Sequence, residues 1–267
     1  MLPCEQLAKS IRRETVKMIH KGRASHVGSC LSIADILAVL YAGTLRVRPD
    51  EPEWSERDRF ILSKGHAAAA LYAVLAIQGF FSKSDLEGYS QEDSLLIGHA
   101  SHLVAGVEYS TGSLGHGLSV GCGIALWFQR ASLPQRVFVL LSDGELNEGS
   151  NWEAILFASH HKLDNLTAII DYNKMQAMGR TADILKMDPL AGKFSSFGWV
   201  AREIDGHNLT EIAQEMNCLP FKPGHPSVLI AHTVKGKGVP FMENNLLWHY
   251  RTPSDQDLLQ ALWEIGE

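Results

Sequence analysis

Apolar residues in this chain follow two rhythms: short unbroken runs, and longer stretches in which they return every three to four positions. The runs Arg59-Phe60-Ile61-Leu62, Val137 to Leu141 and Leu166 to Ile170 have strand length and no polar alternation, which predicts strands buried on both faces. Segments 199–204 and 227–234 predict two more strands. Between them lie helical patterns. Ile11, Val16 and Ile19 share one face of a predicted helix from Leu7 to His20, and Ile33 to Tyr41 repeats the habit behind a Ser32 cap. An Ala-rich helix follows His66, and a further helix opens in Thr111-Gly112-Ser113-Leu114-Gly115-His116-Gly117 and runs to about Gln129. Helices over 151–162, near 188–197, over 209–217 and from Asp255 to Ile265 complete the series. Residues 82–107 are weakly periodic and contain Gly88, Gly98 and Gly106, so a loop with short helix is expected around Gly98-His99. Strands alternating with helices predict an α/β fold: a doubly wound, mainly parallel sheet with helices on both faces.

Composition bounds this picture. At 267 residues and 45% hydrophobic content the chain can bury a large core, and with no linker, repeat or low-complexity tract a single domain over 1–267 is expected. A net charge of −6 and scattered basic residues argue against nucleic acid as the main partner. Cys4, Cys30, Cys122 and Cys218 lack zinc or C-x-x-C spacing and read as reduced thiols. The amino terminus is polar and periodic without a signal-peptide core, and no apolar run approaches membrane-spanning length. A soluble, cytoplasmic chain is therefore expected.

Candidate chemistry lies at the predicted strand ends. Asp143 follows Val137–Ser142 in Ser142-Asp143-Gly144-Glu145-Leu146-Asn147-Glu148-Gly149, and Asn173 follows Leu166–Asp171. Alone, Asp143 reads as a turn residue, since Asp-Gly is a common turn pair. With Asn173 at a second strand end, both side chains emerge where ligands of open α/β sheets bind, and a helix beginning near Asn151 would point its positive end into that crevice. One carboxylate, one amide and one backbone carbonyl suit Mg²⁺ shared with a diphosphate. Glu148 and Glu153 lie about one helical turn apart nearby. Among twelve histidines, His26, His66 and His99 share a setting, beside small residues in loops, that suits proton transfer or donation to phosphate. Zinc spacing is absent. His20, His160, His161 and His225 read as solvated or capping residues; His207 and His232 stay open.

Taken in order, Ser25-His26-Val27-Gly28, Arg57 to His66, Gly98-His99, Thr111 to Gly115, Ser142 to Ala154, Asp171 to Met175, Ile204-Asp205-Gly206-His207 and Lys235-Gly236-Lys237-Gly238 resemble the amino-terminal, diphosphate-binding half of a transketolase, of the kind encoded as a separate subunit. The resemblance covers nearly the whole chain. It implies the thiamine diphosphate-binding fold, with thiamine diphosphate and Mg²⁺ as cofactors and Asp143, Asn173 and the Met175 carbonyl as metal ligands. It further implies cofactor contacts from His66, Gly112, Leu114, Gly144, Glu145, Asn173 and His249. His26, His99 and His249 are implied as the proton-transferring, catalytic histidines, and Glu148 as a residue of the contact joining two cofactor sites. The implied reaction moves a two-carbon ketol unit from a ketose, phosphorylated in the family's usual substrates, to an aldose, the cofactor's thiazolium carbon serving as electron sink.

The family's activating glutamate, aromatic pocket and phosphate-binding residues belong to a second domain, which is not in this sequence. The chain is thus expected to be inactive alone, to need a carboxyl-terminal partner subunit, and to self-associate in a two-plus-two heterotetramer. Two positions depart from the family pattern: His116 in place of Gln and Tyr250 in place of Gly. Rival readings are a deoxyxylulose-phosphate-synthase-like enzyme, which Asn147-Glu148-Gly149 and Trp152-Glu153-Ala154 disfavour, and a non-catalytic thiamine diphosphate-binding scaffold subunit. A dinucleotide-binding reading of Gly115, Gly117 and Gly121 fails on spacing and lacks a preceding strand.

Overall fold

The computed structural model describes residues 2–266. Its sheet has five strands, β1 (Arg59–Leu62), β2 (Val137–Ser142), β3 (Leu166–Tyr172), β4 (Val200–Asp205) and β5 (Ser227–His232), in the order β1-β2-β3-β5-β4. Every pairing is parallel. All residues of β2 and β3 are buried, as their unbroken apolar runs require of strands covered on both sides. Only β4, at an edge, mixes exposed and buried positions.

Successive strand residues feed two cores. Phe138, Leu140, Ile169 and Leu229 face one side, where they pack with α1 (Cys4–Lys21), α2 (Val27–Leu31), α3 (Ala34–Val39), α4 (Ala68–Gln78), α9 (Leu209–Asn217) and α10 (Asp255–Ile265). Val137, Val139, Leu166, Ala168 and Val228 face the other, against α5 (Gly117–Arg130), α6 (Gly149–His160) and α8 (Leu190–Ser196). A one-turn helix, α7 (Thr181–Ile184), precedes α8 and has no counterpart in the sequence pattern. Helix α4 is buried at every position from Ala68 to Ala76, so its apolar residues show no stripe.

The helix expected over 33–41 is present as α3 continued by a π-turn, Leu40–Thr44, but its Ser32 cap is not made. Ser32 closes α2 instead, and its hydroxyl donates 2.7 Å to Asp171 Oδ2. A short polar side chain caps a helix only when nothing inside competes for it, and a buried carboxylate competes strongly. The Thr111–His116 stretch is likewise turn rather than helix, and α5 begins at Gly117.

Because the strands are parallel, their carboxyl ends share one edge. That edge carries Ser63 to His66 after β1, Asp143 after β2, Asn173 after β3, Gly206-His207 after β4 and Thr233 to Lys235 after β5.

Candidate active site at the carboxyl edge of the sheet

One wall is built from the ends of β2 and β3. Ser142 and Asp171 are register partners, so the residues that follow them start as neighbours. Asp143 enters a 3-10 turn, Gly144–Asn147, where Oδ1 accepts from Gly144 N at 2.8 Å. Its Oδ2 accepts from Lys174 N at 2.7 Å and Thr181 Oγ1 at 3.1 Å. Asn173 donates through Nδ2 to Asp171 Oδ2 at 2.9 Å and accepts at Oδ1 from Met175 N at 3.1 Å. Asp171 is fully buried and acceptor-only, so it fixes which way the Asn173 amide faces.

The two carboxylates differ in charge setting. Burial would raise Asp171, but the buried Lys64 ammonium, together with the Thr233 and Ser32 hydroxyls, brings it below the usual carboxylate range. Burial pushes Asp143 up to about 6, with the Asp171 charge adding to it. No group of three or more His, Cys, Asp or Glu side chains at metal-holding spacing occurs among the described residues. The oxygens offered here are those of a carboxylate, an amide and a backbone carbonyl, a hard set suited to Mg²⁺ rather than zinc.

The opposite wall is histidine. His26 precedes α2 in the left-handed region at φ 71°, and its N–H donates 2.8 Å to the His249 carbonyl, which ties two distant segments together. Ring centroids of His26 lie 5.1 Å from His66, 6.1 Å from His99 and 5.1 Å from His249. His66 sits in the 3-10 turn Gly65–Ala67, with Nε2 2.9 Å from Ser29 Oγ. Gly65 is required there, because a Cβ would lie 2.5 Å from the Thr111 backbone. The His99 carbonyl accepts from Tyr72 Oη at 2.7 Å, and Gly112 lies against its ring. His249 ends a 3-10 turn, Leu246–His249, with Nδ1 2.9 Å from Lys235 Nζ.

Three of these rings, His26, His66 and His249, resist protonation. Burial, then the charges of His99, Lys235 and Lys64, lower His26 to about 4. Burial and Lys235 lower His249 to about 3, and burial with Lys64 holds His66 well below the usual imidazole range. Lys235 is itself lowered to about 8 by burial and by Lys64.

The walls enclose a cleft of about 480 Å³. It brings together His26, His66, His99, Gly112, Leu114, Asp143, Gly144, Asn173, Met175 and His249, from seven separate stretches of chain. Glu148 lines it too, at the start of α6. Glu145, expected among the cofactor contacts, does not line the cleft with its carboxylate. That carboxylate is fully buried beneath the cleft, bonded to Ser63 Oγ, to Gly115 N at 3.0 Å and to Ser142 N at 3.2 Å. It holds the turns that carry Leu114 and Asp143.

Sequence reasoning passes over Lys64, Asp171 and Lys235, which stand in its motifs without a role. A signal is present: lysines two and three residues past the ends of β1 and β5, and an aspartate within the mainly apolar β3. Gln176 and Tyr250 also line the cleft. Gln176 Nε2 and Asn147 Oδ1 are buried polar atoms with no partner among the described residues.

Known proteins share both the sequence and this arrangement. Residues 4–264 match the family described as "Transketolase, thiamine diphosphate binding domain". The chain is 38% identical to a subunit of the apulose-4-phosphate transketolase of Phocaeicola vulgatus, over 96% of this chain and 91% of that protein. It is 40% identical to a 6-deoxy-6-sulfo-D-fructose transketolase subunit of a Clostridium species, over 97% and 93% respectively. Among solved structures, transketolase from Campylobacter jejuni superposes on the whole chain with a TM-score of 0.94 at 30% identity. This chain spans 43% of that protein, and 41% of human transketolase at 39% identity. An all-parallel sheet, with motif residues gathered along one edge and near end-to-end similarity to transketolase subunits, leads to one conclusion: this chain belongs to the transketolase family, as a thiamine diphosphate-binding domain of it.

Proposed function

We propose that this chain is the diphosphate-side subunit of a two-component transketolase, which moves a two-carbon ketol unit from a ketose, phosphorylated or similarly anionic, to an aldose. The observation that carries the reading is the cleft itself, with oxygen ligands on one wall and four histidines on the other. Asp143, Asn173 and the Met175 carbonyl are the residues that would hold Mg²⁺. Two features fit that ion with a diphosphate: the Asp143 carboxylate lies buried beside a second one, and Gln176 Nε2 is an unmatched donor on the cleft wall. Gly144 leaves room for close approach, since a Cβ there would crowd Gln176 Cγ at 2.9 Å. When bound, thiamine diphosphate supplies a carbon nucleophile that also serves as electron sink.

The chain's own residues then have distinct tasks. His66, with Nε2 held beside Ser29 Oγ on the cleft wall, would donate toward the diphosphate. His26 and His99 stand on the same wall with ring centroids 6.1 Å apart, where imidazoles accept and return protons at substrate hydroxyl and carbonyl oxygens. The depressed value at His26 keeps its ring neutral near pH 7, as a proton acceptor must be.

A partner subunit belongs to this reading because relatives matched nearly end to end, among them those of Phocaeicola vulgatus and the Clostridium species, are named as transketolase subunits. Self-association is supported by Trp127, Leu156 and Phe157 on α5 and α6, which are 59%, 58% and 39% exposed. The four unpaired cysteines fit a reducing, cytoplasmic setting, and no helix among the described residues is long and apolar enough to cross a membrane.

The test is titration of thiamine diphosphate and Mg²⁺ into this chain, by itself and with a candidate carboxyl-terminal subunit, followed by assay of two-carbon transfer. Tight binding and transfer only in the mixture is the expected result. Asp143→Ala is expected to weaken metal-dependent binding by more than the ~10–100-fold typical of outer-shell partners. Undiminished transfer by that variant would overturn the metal assignment.

A further inference from the structure

Lys235 has no role in the proposed chemistry, yet it is 1% exposed and its Nζ lies 2.9 Å from His249 Nδ1. An ammonium has three donors and no acceptor, so the imidazole nitrogen facing it must present a lone pair. A neutral imidazole with an unprotonated Nδ1 carries its proton on Nε2. His249 Nε2 has no hydrogen-bond partner among the described residues, and the ring lines the cleft. We propose that Lys235 is a positioning residue that locks His249 in the Nε2–H tautomer, making it a hydrogen-bond donor into the cleft and not a general base.

The surroundings hold Lys235 to this task. Gly28 gives its stem a slot, as a Cβ there would lie 3.1 Å from Lys235 Cγ. Gly236 N–H donates 2.9 Å to the Gly28 carbonyl, and Asn244 N–H donates 2.8 Å to the Lys235 carbonyl. Beneath, Arg12 and His207 converge on Asp35: the guanidinium is bidentate, and His207 Nδ1 lies 2.7 Å from Asp35 Oδ2. His207 Nε2 accepts from Val234 N–H at 2.8 Å, and Arg12 Nε donates 3.0 Å to the Lys237 carbonyl. The residues on either side of Lys235 are thus clamped to α1, α3 and the end of β4. His207 shows the same logic in reverse: Nε2 accepts, so Nδ1 carries the proton that Asp35 receives.

The consequence concerns the division of labour. A donor Nε2–H stabilises negative charge on an oxygen, whereas a base removes a proton, and one ring cannot do both in one protonation state. His26 and His99 are left as the proton-accepting pair. The tautomer stands on the Lys235 geometry alone; its use in ketol transfer rests on the proposed function.

The experiment is long-range ¹H–¹⁵N correlation spectroscopy of the full chain labelled at histidine, near pH 7, with His249 assigned by its disappearance in His249→Gln. The wild type is expected to show Nε2 protonated and Nδ1 bare. Lys235→Met, which keeps bulk without a donor, should shift His249 toward a mixture of tautomers, and Lys235→Arg, whose guanidinium like the ammonium only donates, should restore the Nε2–H form. A wild-type His249 with Nδ1 protonated overturns the proposal, and so does an unchanged spectrum in Lys235→Met. The wild-type spectrum decides even if a variant does not fold. No cofactor or partner is needed, so failure here is distinct from failure of the transfer assay.

Discussion

At the scale of single residues, the site rests on charges that the fold buries in compensating pairs. Lys64 and Asp171 are both fully buried in contact with each other, and Asp171 also accepts from the Asn173 amide. Removing one member leaves the other as an uncompensated buried charge, so Asp171→Ala is expected to cost ~3–5 kcal/mol in urea denaturation. A loss well below that range would show that water or another group replaces the carboxylate. The histidines set a different dependence. His26, His66 and His249 bind protons less readily folded than unfolded. The unfolded chain therefore takes up protons first, and the stability these neutral rings contribute, complete above their unfolded values, is lost as pH falls toward about 4. Melting temperature should drop between about pH 7 and 4.5, and less steeply in a His26→Gln, His249→Gln double variant. Equal slopes would remove these rings from the account.

At the scale of elements, glycines allow loops to approach the strand ends. Gly65 faces the Thr111 backbone and Gly117 faces Ser63, where an added Cβ would lie 2.5 and 2.4 Å away. These contacts bring the start of α5 onto the end of β1 and so place His66 beside Leu114. Gly65→Ala is expected to destabilise by ~1–3 kcal/mol as overpacking and to weaken cofactor binding, read by thermal melting and by cofactor titration. Full stability in that variant would mean the Thr111 turn can move aside. Elements are unevenly legible in the sequence. Strands are legible because burial on both faces leaves unbroken apolar runs, and β2 and β3 lie within two residues of expectation. The role of Ser32 is not, because its partner, Asp171, is distant in sequence.

At the scale of the whole molecule, the cleft opens on a chain whose α5–α6 face carries exposed apolar side chains. Phe157 lines a groove there with Gly123 and Ala154. Phe157→Glu is expected to shift this chain toward monomer in sedimentation velocity while leaving its far-ultraviolet dichroism unchanged. An unaltered sedimentation profile would direct attention away from this face as the self-association surface.

The sequence by itself determined the class of fold, the succession of strands and helices along the chain and the residue types available for chemistry, because periodicity and turn residues act over a few positions. It also carried the family resemblance, through motifs kept in order. Tertiary structure alone decided which motif residues meet. It placed Glu145 beneath the cleft and Lys64, Asp171 and Lys235 within its framework, since hydrogen-bond partners and burial depend on segments far apart in the chain, separated by 139 positions in the bond from Ser32 to Asp171. Protonation states belong to the same level: burial and neighbouring charge set them, and neither is written in the order of residues.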